Sequence, residues 1–392
     1  MTAKAGRLPV AGLCALAVAG FVTILTEALP AGLLPQIAET LGVSEAAAGQ
    51  WISIYALGSL AAAIPLTAAT RSWRRRPLLL CTIIGFAIAN LVTALTTIFA
   101  ITLIARFIGG VSAGLLWALL AGYATRMAPP ALEGRAMAIA MAGTPLALSL
   151  GIPAGTMLGG SIGWQPTFGL LSAIALLLAG WIIMTVPDFP GETVAERPSL
   201  RQVFKIPGVR SALMITLCFV LAHNILYTYI APLLSRLGLI GHTDNMLLAF
   251  GLSALVSIAL TGALIDRWLK PLTVVSIALF LLSATVLTCA SNMPIVIYGA
   301  VMIWGLAFGG AATLFQTASA RAAGASADVA QAMIVTAWNV AIAGGALAGG
   351  ILLDSMGAAA LPWAGGAILI VAAWAGLATP RRPTDVRSSG DS

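Results

Sequence analysis

Long apolar runs, separated by short polar or Pro/Gly-rich breaks, make up most of the chain. A helix needs about 20 predominantly apolar residues to cross the roughly 30 Å hydrocarbon core of a bilayer. Divided at its breaks, the chain contains twelve runs long enough to do so. The predicted spans are residues 9–36, 46–69, 77–97, 99–124, 136–159, 165–186, 211–235, 245–265, 271–291, 294–318, 329–353 and 360–379. The pattern therefore predicts an all-α membrane protein with twelve transmembrane helices.

The Lys and Arg residues indicate how these helices are oriented. With both termini in the cytoplasm, 18 of the 20 basic residues lie on the cytoplasmic side. The exceptions are Arg106, inside the fourth span, and Arg236, after the seventh. Cytoplasmic loops of membrane proteins carry such an excess of positive charge. We therefore expect an even number of spans and cytoplasmic termini.

Composition agrees with the membrane interpretation and excludes other classes. The 392 residues are 60% hydrophobic and 8% charged, against about 25% charged in soluble domains. The net charge of +7 comes from short clusters at alternate loops, without a basic helix face, so we expect no nucleic-acid binding. The four cysteines lie singly in apolar segments, which predicts no metal site and no cofactor. The lipid bilayer is the expected environment.

The chain divides into two similar halves. The longest polar segment predicts an N-terminal six-helix bundle over residues 1–187, a cytoplasmic loop over 188–210, a second bundle over 211–380 and a tail over 381–392. Three matches relate the halves: "TEALP" at 26–30 with "TYIAP" at 228–232, Gly110 and Gly114 with Gly305 and Gly309, and Gly151 and Gly155 with Gly345 and Gly349. Two pseudo-symmetric bundles that share a midplane site are typical of transporters.

Several motifs carry a resemblance to a known family. These are "GALIDR" at 262–267, "RFIGG" at 106–110, "GTPLALSLGIPAG" at 143–155, "TEALPAGLLPQIA", "YTYIAP" and "DVAQAMIVTAWNVAIAGGALAGG". The chain resembles the major facilitator superfamily, and within it the twelve-helix drug and sugar efflux branch that exchanges substrate for protons. The last three motifs look most like sugar and nucleoside exporters. The resemblance implies a monomeric antiporter in the bacterial inner membrane, with a role in sugar transport or drug resistance.

The resemblance also assigns roles to two loops. In the family, a G-x-L-x-D-R loop is thought to provide a charge relay that gates transport, which implies this role for Gly262, Asp266 and Arg267. The equivalent loop after the second span, "LTAATRSWRRR", departs from the motif, because Thr70 replaces the usual Asp and Trp73 the usual Gly. Its basic cluster has two interpretations. One is a gating role for Arg71, Arg74 and Arg75, and the other is a role in topology alone.

Glu27 is the one acidic residue that the spans place deep in the membrane. It is about 13 Å from the outer end of its helix, and Arg106 is about 10 Å from the outer end of another, so the two lie at similar depths. The first and fourth helices border the central cavity in the resembled fold, which implies that the pair is within ion-pairing or water-bridged reach. Glu27 is then a proton carrier, part of a neutralising pair, or a substrate contact.

Polar and aromatic residues in three spans are candidates for substrate binding, because amides, imidazole and phenols bind hydroxyl groups and indoles stack on rings. In the seventh span, His223 and Tyr227 share one helix face, and His223 is a possible second titrating group. Ordinary packing is the alternative for His223 and for Trp117. The full candidate set is Trp117, His223, Asn224, Tyr227, Tyr229, Gln316, Trp338 and Asn339.

The fifth span carries a structural pattern. Gly143, Gly151 and Gly155 align on one face, which predicts a close helix contact. Pro145 and Pro153 remove backbone hydrogen bonds, so we expect them to bend the helix against a neighbour from the other half. This bend would serve as a seal and pivot.

Together these features predict a proton-coupled exporter that works by alternating access on a sugar, a nucleoside or an amphipathic drug such as chloramphenicol. An uptake symporter or facilitator of the same fold is the first alternative. A membrane-embedded enzyme is the second, and it would need an H-E-x-x-H motif or a Ser/His/Asp set. Because the chain has only two histidines, His223 and His242, we expect no enzyme activity.

Overall fold

The computed structural model describes residues 8–66, 69–70, 72–129, 132–191, 200–290 and 293–377. The predicted C-terminal tail, part of the central loop and Arg71 lie outside these residues. The described part of the chain is helical and contains no β-strand. We label α1 to α12 the helical segments that correspond to the twelve predicted spans.

The helices follow the predicted order closely. Their bounds are α1 Val10–Gly32, α2 Glu45–Ala61, α3 Arg75–Leu95, α4 Phe99–Met127, α5 Glu133–Met141 with Gly143–Leu146 and Ile152–Ile162, α6 Trp164–Thr185, α7 Pro207–Tyr227 with Ile230–Arg236, α8 Ile240–Ile265, α9 Arg267–Cys289, α10 Pro294–Gly309 with Ala311–Ala323, α11 Ala327–Met356 and α12 Ala360–Leu377. Two short helices, Leu34–Leu41 and Leu200–Phe204, lie in the connections after α1 and before α7. The predicted central loop therefore includes helical residues.

Ten of these segments are long and apolar enough to cross a membrane, within the described residues. The exceptions are α2, which has 17 residues before a π-helical turn at Ala62–Leu66, and α12, whose apolar part is shorter. Large apolar side chains such as Leu177, Met184 and Ile295 are more than three-quarters exposed, as lipid-facing residues are. The chain is thus a multi-pass membrane protein, while twelve crossings and cytoplasmic termini stay predictions.

The two halves repeat the same helix contacts. A Cβ atom at Gly110 of α4 would lie 1.9 Å from the carbonyl oxygen of Tyr55 in α2. At the matching position of the second half, a Cβ atom at Gly305 of α10 would lie 2.3 Å from the carbonyl oxygen of Phe250 in α8. Both glycines are needed because the helices approach too closely for a side chain. The contacts agree with the repeat that the sequence predicts.

Two helix pairs, α2 with α11 and α5 with α8, provide the most extensive contact between the halves within the described residues. Ser53 of α2 donates a hydrogen bond of 3.0 Å to the carbonyl oxygen of Ala343 in α11. Gly251 of α8 packs against the backbone of α5 at Ser149, where a Cβ atom would come within 2.3 Å of Cα. These contacts hold the halves together.

Candidate functional site

Glu27 of α1 and Arg106 of α4 lie next to each other. Arg106 is 1% exposed, and its Nη2 donates to the main-chain carbonyl oxygen of Glu27 at 3.3 Å. Its Nε has a longer contact of 3.5 Å with the carbonyl oxygen of Trp51 in α2. In the described part of the chain, no basic nitrogen lies within 4.0 Å of the Glu27 carboxylate. The residue as a whole is partly exposed. The guanidinium is thus bound to main-chain carbonyl groups, and the carboxylate lacks a direct ion pair.

Three aromatic rings surround the Arg106 guanidinium. Its Cζ lies 4.8 Å from the ring centre of Tyr55 and 5.9 Å from those of Trp51 and Phe168. Cation–π attraction acts at these distances and is stronger in a desolvated site. The Tyr55 hydroxyl donates to the carbonyl oxygen of Thr23 at 3.2 Å. Sequence analysis missed this aromatic cage, because Trp51 and Tyr55 on α2 and Phe168 on α6 have no sequence spacing that links them to Arg106.

Asn90 of α3 is a second residue that sequence analysis missed. It is 1% exposed, and its Nδ2 donates to the hydroxyl of Thr26, the neighbour of Glu27, at 3.0 Å. Its Oδ1 has no hydrogen-bond partner within the described residues. An isolated amide in an apolar span was the available signal, since buried polar side chains in membranes bind across helices. Asn90 therefore attaches α3 to α1 beside the candidate proton site.

In the second half, His223 and Tyr227 lie on one face of α7, as their spacing predicts. The imidazole stacks on Phe308 of α10 with centroids 3.6 Å apart and on Tyr227 at 4.9 Å. The His223 Nδ1 and the Trp304 Nε1 are buried and have no hydrogen-bond partner among the described residues. Such orphaned polar atoms are costly in a low-dielectric interior, so this aromatic cluster has donor and acceptor capacity to offer a bound molecule.

Tyr229, a predicted substrate contact, lies between helices of the two halves. The side chain is fully buried, and its hydroxyl donates to the carbonyl oxygen of Ala346 in α11 at 2.7 Å. The same hydroxyl lies 3.4 Å from the carbonyl oxygen of Ala46 in α2, in the other half. The bulky ring fits here because Gly49 and Gly350 leave room for it. Tyr229 thus packs at the contact between the halves.

The remaining substrate candidates are spread over both halves. Trp117 of α4 is partly exposed and points towards Gly20 of α1, and Trp338 of α11 lies 6.0 Å from the ring of Phe308. The side-chain amides are engaged locally or exposed: Asn224 Nδ2 donates to Val220 O at 2.9 Å, Asn339 Nδ2 donates to Val335 O at 2.9 Å, and Gln316 is exposed. Trp338 and Phe308 therefore extend the aromatic cluster of His223 towards partly exposed positions.

Helix α5 widens into a π-helical turn between its two prolines. The chain forms a π-helical turn at Ala147–Gly151, between Pro145 and Pro153. The glycine face packs on α1 of the same half, since Cβ atoms at Gly151 and Gly155 would lie 2.4 Å from Leu25 and 2.8 Å from Leu29. The π-helical turn itself contacts α8 of the other half. Both predicted contacts exist, on different faces of the helix.

An acid that sequence analysis did not single out binds the basic cluster of the α2–α3 loop. Asp188, which follows α6, binds the Nε of Arg74 at 2.5 Å and accepts the main-chain N–H of Arg76 at 3.0 Å. The hydrogen bond from Arg76, together with that from Arg74, holds the pKa of the Asp188 carboxyl below its ordinary value. The α2–α3 loop is therefore fixed by a carboxylate at the start of the predicted central loop.

The other predicted gating residues lie in both loops. Arg75 is buried at the start of α3, while Arg71 lies outside the described residues. In the second half, Gly262 and Arg267 are exposed, and the side chain of Asp266 is outside the described set. The helical backbone is interrupted just after this motif, at Trp268. The structure thus places the motif at the junction of α8 and α9.

Comparisons with known proteins agree with this architecture. A model of the Major Facilitator Superfamily matches residues 16–328. The chain is 31% identical to the chloramphenicol efflux pump Rv0191 of Mycobacterium tuberculosis over 357 residues, which cover 87% of this chain and 86% of the relative. It is 29% identical to the purine ribonucleoside efflux pump NepI of Escherichia coli over 337 residues, 85% of each chain.

Solved structures share the fold. The nucleoside transporter NupG superposes with a TM-score of 0.73 at 14% identity, over 93% of this chain and 99% of that one. A bacterial homologue of the human lysosomal transporter Spinster superposes with a TM-score of 0.69 at 15% identity, over 95% and 96% of the two chains.

Proposed function

The chain belongs to the Major Facilitator Superfamily, and from that premise we propose that it is a proton-coupled exporter of a small polar or amphipathic solute in the bacterial inner membrane. The family makes it a transporter and not an enzyme. Its similarity to pumps named for the efflux of chloramphenicol and of purine ribonucleosides supports the export direction.

The carboxylate of Glu27 is the observation that carries proton coupling. A membrane carboxylate is costly unless it has a function or a partner. Glu27 is partly exposed and lacks a direct ion pair, while Arg106 beside it is held on carbonyl oxygens. The stability of the charged form of Glu27 therefore depends on water access to the carboxylate and on the position of the Arg106 guanidinium. Protonation from the acidic outer side would neutralise this acid and favour solute release, and deprotonation towards the cytoplasm would reset it.

The solute surface we propose combines rings and polar atoms from both halves. His223, Phe308 and Trp338 supply stacking faces in the second half, and Trp117 supplies one in the first. Planar bases and nitroaromatic rings suit such faces, and the unpartnered Nδ1 of His223 would accept a hydrogen bond from a solute hydroxyl or amine. We leave Tyr229 out of this surface, because its hydroxyl is bound to main-chain carbonyl groups. Its place supports a role in closing the predicted outer end.

Solute retention in cells tests this function. Cells that overproduce the protein are loaded with a labelled nucleoside, a labelled sugar or chloramphenicol, with and without a protonophore. We expect lower retention of at least one solute than in control cells, loss of that effect with the protonophore, and loss of it in Glu27→Gln. Glu39→Gln, an exposed acid on the helix after α1, is the matched control and should export normally. Higher retention in overproducing cells would instead support the uptake alternative.

A further inference from the structure

Tyr55 contacts the cation of the candidate proton site and the helix that carries its acid. Of the three rings around Arg106, its ring is the nearest to the guanidinium, at 4.8 Å from Cζ. Its hydroxyl donates to the carbonyl oxygen of Thr23, which is one helical turn before Glu27 on α1. One side chain of α2 thus supports the cation of α4 and binds the helix that carries the acid.

The second half contains a natural comparison for this arrangement. Tyr55 packs against Gly110 as Phe250 packs against Gly305, so Tyr55 and Phe250 occupy equivalent positions. Four residues before these glycines, the first half has Arg106 and the second has Val301. The half with the cation has the phenol close to its guanidinium, and the half without it has a phenylalanine and an aliphatic residue. The contact that the two halves share is made by the main-chain carbonyl groups of Tyr55 and Phe250, and only the first half adds a phenol ring beside a cation.

The position of the guanidinium matters for Glu27. Arg106 is held by the aromatic cage and by two carbonyl oxygens, one of which belongs to Glu27 itself. Among the described residues, Glu27 and Arg106 are the charged groups that act on each other here, and Tyr55 is a neutral phenol. The other elements near this part of α1 present neutral groups: Asn90 from α3, Gly151 and Gly155 from α5, and Leu247 from α8. Among the residues that the structure describes, the Glu27 carboxylate is the anionic group near a guanidinium freed from the Tyr55 ring.

We propose that Tyr55 is a positioning residue of the proton site, whose ring holds the Arg106 guanidinium on the main-chain carbonyl groups and away from the Glu27 carboxylate. The proposal rests on the proposed role of Glu27 as the proton carrier. It adds that α2 keeps this carboxylate free to accept a proton at the pH where the transporter works. Without the ring, a direct Glu27–Arg106 ion pair would form and would favour the ionised acid.

Substitutions at Tyr55 test this role through the pH at which Glu27 takes up a proton. Tyr55→Leu and Tyr55→Met remove the ring, and Tyr55→Phe keeps it. In purified protein, the infrared absorption of the Glu27 carboxyl group, identified by its loss in Glu27→Gln, is followed from acid to neutral pH. We expect the titration midpoint to move to lower pH by about one unit in the Leu and Met variants, as for a carboxylate that gains a close cation. The Phe variant should titrate as the unmodified protein does.

Two further variants separate positioning from packing. Phe250→Leu removes the equivalent ring of the second half, and its midpoint should not move. Phe168→Leu removes a ring 5.9 Å from the guanidinium and should move the midpoint in the same direction by a smaller amount, which keeps the test available if the Tyr55 variants do not fold.

An unchanged midpoint in Tyr55→Leu and Tyr55→Met would overturn the proposal, as would a shift to higher pH. If those variants do not fold, the same two results in Phe168→Leu would overturn it. An equal shift in Tyr55→Phe would also overturn it, because the hydroxyl and not the ring would then act. The infrared midpoint does not depend on transport. If Glu27→Gln still couples protons to transport, the proposed function fails, while the Tyr55 titration can still succeed or fail independently.

Discussion

The contact between Tyr229 and Gly49 provides a test of alternating access at one defined point. Gly49 belongs to α2 in the first half and Tyr229 to α7 in the second, and a Cβ atom at Gly49 would lie 2.2 Å from the Tyr229 Oη. The clash exists only while the two halves touch at this end. Gly49→Ala should therefore disfavour this conformation relative to one in which α2 has moved away from Tyr229.

The size of the effect follows from the geometry. Ordinary van der Waals contact of a Cβ atom begins at 3.4 Å, so the ring and helix must separate by about 1 Å. Overpacking of this kind costs about 1–3 kcal/mol. That cost shifts the equilibrium between the two conformations by about 5- to 140-fold. The gain in helix propensity from Gly to Ala, about 1 kcal/mol, is common to both conformations and cancels.

Spin-label distances measure this shift. Labels at Glu39 and Ser355, both exposed near the predicted outer end, are placed on a background without the native cysteines. In Gly49→Ala, the longer distances should gain population, and Gly49→Ala combined with Tyr229→Leu should restore the original distribution. Gly58→Ala is the matched control, because its clash is with Phe107 of the same half. A distribution in Gly49→Ala identical to that of the unmodified protein would refute the reasoning.

Three other outcomes are expected. Gly110→Ala should lower the free energy of unfolding in detergent by about 1–3 kcal/mol because of the clash with the Tyr55 carbonyl group, whereas Gly160→Ala, which meets open space, should not lower it. Asp188→Asn should reduce thermal stability slightly. The pKa of Asp188 is lower in the folded protein than the ordinary carboxyl value of 3.8. Its contribution to stability is therefore fully present above pH 3.8 and is lost as the pH falls through the lower folded-state value. The difference in thermal stability between the variant and the unmodified protein should accordingly vanish in acid. His223→Phe should keep the stacking on Phe308, weaken solute binding by about 5- to 10-fold in a titration of purified protein and leave the pH profile of transport unchanged.

Much of the architecture could be predicted because its cause is local. The length of an apolar run decides whether a helix can cross lipid, so most bounds agree with the structure within a few residues. The proximity of Glu27 and Arg106 followed from their similar depth on helices that the resembled fold places together. The glycine repeats indicated which helix pairs approach closely, because close backbone contact has a sequence signature.

The finer features of the site depend on contacts between distant helices. No spacing in the sequence links Tyr55 of α2 to a guanidinium on α4, and an aromatic residue in an apolar span is ordinary packing until its neighbours are known. Tyr229 is the opposite case, because its phenol suggested substrate binding from the sequence. In the structure, its hydroxyl donates a hydrogen bond to a main-chain carbonyl group. Asp188 binds Arg74 of the α2–α3 loop through a tertiary contact, which the degenerate loop motif could not indicate.

Transport by Glu27→Gln in proteoliposomes tests the central claim most directly. Two assays are run on the same vesicles: accumulation of the solute driven by a pH gradient, and exchange of labelled for unlabelled solute without a gradient. We predict that Glu27→Gln loses gradient-driven accumulation and keeps exchange, because solute binding and the conformational change remain possible without a titrating acid. Gradient-driven accumulation equal to that of the unmodified protein would contradict the role of Glu27 as proton carrier.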